Sequence, residues 1–387
     1  MPKCRALFLV VVLVSLVVFC GAPSRAQSGV RPKPTPTPEQ EGQEPEQVFT
    51  EEVRIPVFAS DEKGRADVAL EVDDVLVIED SVPQQVKSVR RIPASVVLLL
   101  DTGGDLNPYM RTGTTREIAS GVLWNLREGD EVAALQFNAR TQVLQDWTTD
   151  KDKVARSLKS KLASGDGANL SRAITRAVEL LSKQPIGNRH LVLVTDGVDT
   201  GGLNEYQEAV KKLIASEVTL HVISYSGISE KAMSKQETAP KEAVGAAQSR
   251  ADMATVGIDP TRPPGMRSAG GINPPSINSG IRIDPALKRR RKAYEGAMRK
   301  GEGRLKSLTD ETGGRILLPA TTGEMVAQGK DVAREIGTQY VVTYKPKRPL
   351  ANSSSAEYRE IRVGARRLGL SLRARRGYVV GGMRATE

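Results

Sequence analysis

Two aspartates end two apolar runs, and their placement is the most chemically suggestive feature of the chain. Val96-Val97-Leu98-Leu99-Leu100 stops at Asp101, and Leu191-Val192-Leu193-Val194-Thr195 stops at Asp196-Gly197. Apolar runs of this length, without polar alternation, read as strands buried on both faces of a parallel sheet. The loops after such strands lie where open α/β sheets hold their ligands. Asp101 and Asp196 are therefore expected to aim two carboxylates at one spot. Carboxylates so placed accept hydrogen bonds from loop N–H groups and cap helix starts. The loop after Asp101, Thr102-Gly103-Gly104-Asp105, is glycine-bearing and acidic.

The elements that must position these groups follow from hydrophobic period. Between Ala94 and Ser226 strands and helices alternate. Residues 113–127, 151–162, 170–181 and 206–215 carry helical spacing, and Thr219 to Tyr225 is another buried strand. Glu131 to Phe137 and Gln142 to Trp147 form a strand pair across the polar turn Asn138-Ala139-Arg140. Such alternation predicts an α/β fold: a doubly wound, mainly parallel sheet with helices on both faces. Small β segments flank it at both ends, residues 48–92 and 338–380. The α/β domain spans 93–337 and is interrupted by 227–300, a Gly-, Pro- and Ser-rich stretch read as a flexible, basic insertion. A helix at Leu305 to Leu308, a strand at Arg315 to Leu318 and a helix from Met325 to Ile336 complete the domain.

The N-terminus reads as an export signal. Lys3 and Arg5 precede an apolar run from Ala6 to Phe19 broken only by Ser15, and Ser24 and Ala26 suit a cleavage site. The run is short for a membrane span, although an uncleaved anchor is the alternative. Phe19 is too bulky for the small residue expected before a lipidated Cys20. Cleavage after Ala26 removes Lys3, Arg5 and Arg25 and no acidic residue, so the formal charge falls from +10 to +7. It also removes Cys4 and Cys20, the only cysteines, and with them disulfide, thiolate and Cys-metal chemistry. Residues 27–47 hold Pro32, Pro34, Pro36, Pro38 and Pro45 and read as an extended, disordered linker. The expected location is periplasmic or extracellular.

The order of Val97 to Asp101, then Gly165-Asp166-Gly167-Ala168-Asn169-Leu170, then Leu193 to Gly197 resembles a von Willebrand factor type A domain. Asp73 to Asp80 with Pro83-Gln84, and the tail from Gln339-Tyr340-Val341 to Arg375-Arg376-Gly377-Tyr378, resemble the flanks of a bacterial exported group within that family. The resemblance implies a non-enzymatic protein-interaction or adhesion module. It also implies a Mg²⁺ or Mn²⁺ site built from an Asp-x-Ser-x-Ser loop, a Thr and a later Asp. Hard cations of this kind want oxygen ligands in octahedral array. Asp101 and Asp196 match the two aspartates. Gly103 and Ala168 replace a Ser and the Thr and bring no oxygen, while Asp105 replaces the second Ser with a charge. The resemblance thus implies either a degenerate metal site of Asp101, Asp105 and Asp196, or a fold that keeps the aspartates as caps.

The expected contact surface for a protein partner is the carboxyl edge of the sheet, with Asn169 and Asp199 as further ligand-binding candidates; Asn169 equally suits an N-cap before Leu170. Lys288, Arg289, Arg290, Arg291 and Lys292 form a basic cluster suited to an anionic envelope polymer or lipid. A solvated charge run is its ordinary reading. Nucleic acid is not an expected partner, given the export signal and an aromatic content of 4%. A structural envelope component, attached through the β tail or the basic insertion, is the rival reading. A metal-dependent hydrolase is the less supported one, because no G-x-S-x-G, H-E-x-x-H or phosphate-loop motif occurs. His190 and His221 lack zinc-type spacing and read as structural or solvent-facing.

Overall fold

The computed structural model describes residues 51–66, 68–103, 112–231, 285–350 and 356–381. The expected signal and linker, Asp105 and residues 232–284 of the expected insertion lie outside the described residues. Among the described residues no helix is long and apolar enough to cross a membrane.

The chain runs β1 (Val53–Asp61), β2 (Val75–Glu79), β3 (Val82–Gln84), β4 (Val86–Arg90), β5 (Ser95–Asp101), α1 (Thr112–Leu123), β6 (Glu131–Phe137), β7 (Thr141–Thr148), α2 (Lys151–Lys161) and α3 (Leu170–Leu181). It continues with β8 (Arg189–Thr195), α4 (Leu203–Ala215), β9 (Thr219–Ser224), α5 (Pro285–Thr312), β10 (Arg315–Leu317), α6 (Thr322–Thr338), β11 (Tyr340–Tyr344), β12 (Glu357–Ala365), β13 (Leu370–Ala374) and β14 (Gly377–Val380).

The central sheet has six strands in the order β10-β9-β8-β5-β6-β7, parallel except for β7. Pleating sends alternate residues of β5 to opposite faces. Val96, Leu98 and Leu100 enter one core with α1, α2 and α6, whereas Val97 and Leu99 enter the other with α3, α4 and α5. A strand buried on both sides has no use for polar alternation, which is why it reads as an unbroken apolar run. From β5 the chain order departs toward β6 on one side and toward β8 on the other. This reversal is the topological switch point, where the crevice of a doubly wound sheet opens. Asp101 ends β5 and Asp196 follows β8, so both stand there.

The two β flanks interleave. β1 lies between β11 and β13, and β12 pairs with β2 as well as β14. Two four-stranded sheets result, each built from both ends of the chain, with one shared apolar core. Inside it Arg359 and Glu79, 1% and 2% exposed, form an ion pair at 3.1 Å. The hydroxyls of Tyr344 and Tyr378 also donate to Glu79, at 2.6 and 3.1 Å.

Helix α5 corrects one boundary. Residues 285–300 fall in the stretch assigned from sequence to a flexible insertion, yet they form the first turns of a 28-residue helix. Their Ala, Leu, Lys, Arg and Met content favours helix, and an inward stripe of Tyr294, Met298, Gly301, Leu305, Leu308 and Thr312 repeats every three or four residues. The Gly and Pro density that marks the insertion belongs to the residues before 285.

Candidate functional site

Asp101 is 1% exposed and Asp196 is 3% exposed. The Gly103 backbone N–H donates to Asp101 Oδ1 at 3.0 Å and the Thr195 hydroxyl donates to Oδ2 at 2.7 Å. Thr195 Oγ1 in turn accepts from the Gly197 N–H at 3.0 Å. The Val198 N–H donates to Asp196 Oδ1 at 2.9 Å, and the Tyr294 hydroxyl of α5 donates to Asp196 Oδ2. Burial, then the neighbouring Asp196 charge, push the Asp101 carboxyl well above its ordinary range. Burial also raises Asp196, against the opposing pull of Tyr294 and Val198. Tyr225, 1% exposed beyond the end of β9, has its hydroxyl raised by burial and by the charges of Asp101 and Asp196. Desolvation disfavours two charges here, and the chain's own donors answer each carboxylate.

The positions expected to supply neutral oxygens are closed by packing. A Cβ on Gly103 would stand 1.7 Å from the Gly167 carbonyl oxygen, so no side chain fits at 103. Ala168 is 5% exposed and packs into the core with α3. The described donor set is therefore two carboxylates whose four oxygens each already accept a bond from the chain. Among the described residues no three His, Cys, Asp or Glu side chains group to hold an ion. An octahedral cation asks for six oxygens, and these residues do not meet that demand.

The remaining sequence candidates separate into two places. Asn169 caps α3, accepting from the Arg172 N–H at 2.9 Å and donating to Glu205 at 3.2 Å. Asp199 accepts from Ser171 N at 3.3 Å, from the Ser171 hydroxyl, and from Gly201 N at 2.9 Å. Asp199 thus ties the 197–202 loop to the start of α3, and Asn169 ties the start of α4 to it. The basic cluster sits on the first turns of α5, where Lys288, Arg289, Arg290 and Lys292 are exposed and Arg291 is half-buried. His190 and His221 face each other inside the sheet at 3.2 Å, and His190 also meets Asn188 Oδ1 at 2.8 Å. Burial holds His190 down to about 3 and His221 well below its usual value, so both are neutral. A groove of about 520 Å³ lined by Arg54, Glu217 and Tyr378 lies toward the amino edge, away from the aspartates.

Tyr225 and Tyr294 are the site residues that sequence reasoning misses. Tyr294 carries a signal in hindsight, because it belongs to the inward stripe of α5 that ends in Leu305 and Leu308.

Residues 95–255 match the von Willebrand factor type A domain family. No curated protein matches the chain in sequence. Among solved structures, similarity extends to the BatB protein of Bacteroides thetaiotaomicron, at 21% identity and TM-score 0.29, over 34% of this chain and 66% of that one. A von Willebrand factor type A protein of Catenulispora acidiphila aligns at 9% identity and TM-score 0.41, over 87% of this chain and 73% of that one. Manganese-loaded TRAP protein of Plasmodium vivax aligns at 18% identity and TM-score 0.31, over 35% and 60%. The family match ends before α5, although β10 pairs with β9 in the same sheet. Strand order, the aspartates at the switch point and the family match together identify a von Willebrand factor type A domain in this chain, beginning at Ser95.

Proposed function

We propose that this chain is an exported, non-enzymatic protein-interaction module that engages its partner without a resident divalent cation. One observation carries the reading: the Asp101–Asp196 pair is closed by the chain's own donors, with Tyr294 of α5 placed on Asp196. A cation that captures a partner's carboxylate needs open coordination positions and neutral ligands, and here Gly103 and Ala168 supply neither. Nucleophilic chemistry needs a base within hydrogen-bond reach of an activated nucleophile. The Thr195 hydroxyl does donate to Asp101, but both are buried beneath the loop and Thr195 Oγ1 also accepts from Gly197. The partner surface that remains is the loop rim of the carboxyl edge, where Leu203 is 62% exposed and Leu318 is 52% exposed. Export follows from the N-terminal sequence, and the absence of cysteine after Ala26 is compatible with it.

Calorimetric titration of Mg²⁺ and Mn²⁺ into the protein and its Asp196→Ala variant tests the reading. The expected result is no saturable heat in either. Saturable heat that disappears in the variant would restore a metal-dependent adhesion mechanism and refute this proposal.

A further inference from the structure

The outward face of α5 gathers exposed bases along one side of a helix. Some exposed bases elsewhere have acidic partners, as Arg172 has Glu205, Arg334 has Asp331, Arg348 has Asp80 and Arg362 has Glu360. On α5, Lys288, Arg289, Arg290, Lys292 and Lys300 are exposed and no ion pair is found for any of them among the described residues. Arg299 is held by Glu230.

Helical geometry orders these bases. At 100° per residue, Lys288, Arg289, Lys292, Arg299 and Lys300 fall within about 120° of arc, opposite the buried stripe of Tyr294, Met298, Leu305 and Leu308. Gly296 lies between them and keeps the surface low. The acidic members of this half, Glu295 and Glu302, stand on the flank, and Glu302 is occupied by the Ser226 hydroxyl. Residues 285–300 measure about 24 Å along the helix axis. Like charges three and four residues apart destabilise a helix, so an anionic partner laid along this face would relieve a repulsion built into the chain. The strip has no exposed aromatic or large aliphatic side chain to enter a bilayer, which an interfacial helix requires. Arginine adds bidentate geometry suited to phosphate.

We propose that the outward face of α5 docks a linear phosphate-bearing polyanion through Lys288, Arg289, Lys292, Arg299 and Lys300. The strip exists because α5 is docked by its opposite face, so the proposal rests on the closed edge described above but not on the absence of metal.

Titration with inorganic polyphosphate tests it. Wild type should bind saturably, and the variant with Lys288, Arg289, Lys292 and Lys300 changed to Gln should bind at least tenfold more weakly. Its slope of log affinity against log salt should fall by about 3, at about 0.7 per lost phosphate contact. A second quadruple variant, Lys63, Lys183, Lys211 and Lys330 to Gln, carries the same net charge and should bind like wild type. Equal loss in both variants would reduce the effect to net charge and overturn the proposal. Binding to phosphatidylglycerol vesicles without binding to polyphosphate would overturn it in favour of a membrane. Tyr294→Phe separates the two proposals: it weakens the contact with Asp196 and should leave polyphosphate affinity unchanged.

Discussion

A single methyl group placed on Gly301 should undock the helix that closes the site. Gly301 faces Gly197, whose φ of +83° presents its carbonyl to α5. A Cβ at 301 would lie 1.8 Å from the Gly197 oxygen and 2.5 Å from its carbonyl carbon. Ordinary contact needs about 3.4 Å, so the helix must move by roughly 1.5 Å against backbone that cannot rotate away, an overpacking that costs about 1–3 kcal/mol. The same movement pulls Tyr294 from Asp196, a bond to a carboxylate worth about 1.5–3 kcal/mol. Against these stands the better helix propensity of Ala over Gly, about 1 kcal/mol. The net expectation for Gly301→Ala is a loss of about 1.5–5 kcal/mol in the docking of α5. Gly296→Ala is the internal control: it makes the same propensity change on the same helix, with nothing within 4 Å of the new Cβ. It should stabilise by about 1 kcal/mol. Hydrogen exchange over residues 285–300, read beside urea unfolding, distinguishes them. Exchange should accelerate in Gly301→Ala and slow in Gly296→Ala. If both variants slow exchange and unfold later than wild type, α5 does not rest on Gly197 and the closed-site argument fails.

The folded state raises the Asp101 carboxyl above its unfolded value, so it binds a proton more tightly than the unfolded chain. Stability should therefore fall as pH rises above about 4, the unfolded carboxylate range. Asp101→Asn should gain on wild type between pH 5 and pH 8 in urea midpoint, and parallel pH profiles would refute the assignment. In the β module, Glu79→Ala takes the nearer carboxylate from buried Arg359 and leaves Glu357, at 3.9 Å, as its counter-charge; this should cost about 3–5 kcal/mol of unfolding free energy in a urea titration. Asn169→Ala removes the α3 cap and should cost about 1 kcal/mol, with frayed exchange confined to the first turn of α3.

Much of the fold was legible because its signals are local. β5 and β8 are buried on both faces, which suppresses polar alternation; β5 ends in Asp101 and Asp196 follows β8, where the sheet turns into loop. Residues 95–101 therefore announce a central parallel strand without knowledge of their neighbours. The losses at Gly103 and Ala168 are equally visible, since a residue without an oxygen donates none in any fold. The start of α5 was obscured by adjoining Gly- and Pro-rich sequence and by a basic run that hides its helical period behind charge.

What tertiary structure alone decided are the contacts between distant parts of the chain. Val53 pairs with Tyr344 in register, so the two β flanks are one module and neither could bury its apolar face alone. Tyr294 reaches Asp196 across 98 positions, and nothing local to either residue specifies that meeting. It depends on Leu305 and Leu308 entering the core and on two glycines letting backbones approach. Sequence period says which side of a helix is buried, but the partner on that side is set by packing of the whole domain. The same docking turns the basic face of α5 toward solvent, so the surface offered to a partner is as much a tertiary result as the closed aspartate pair beneath it.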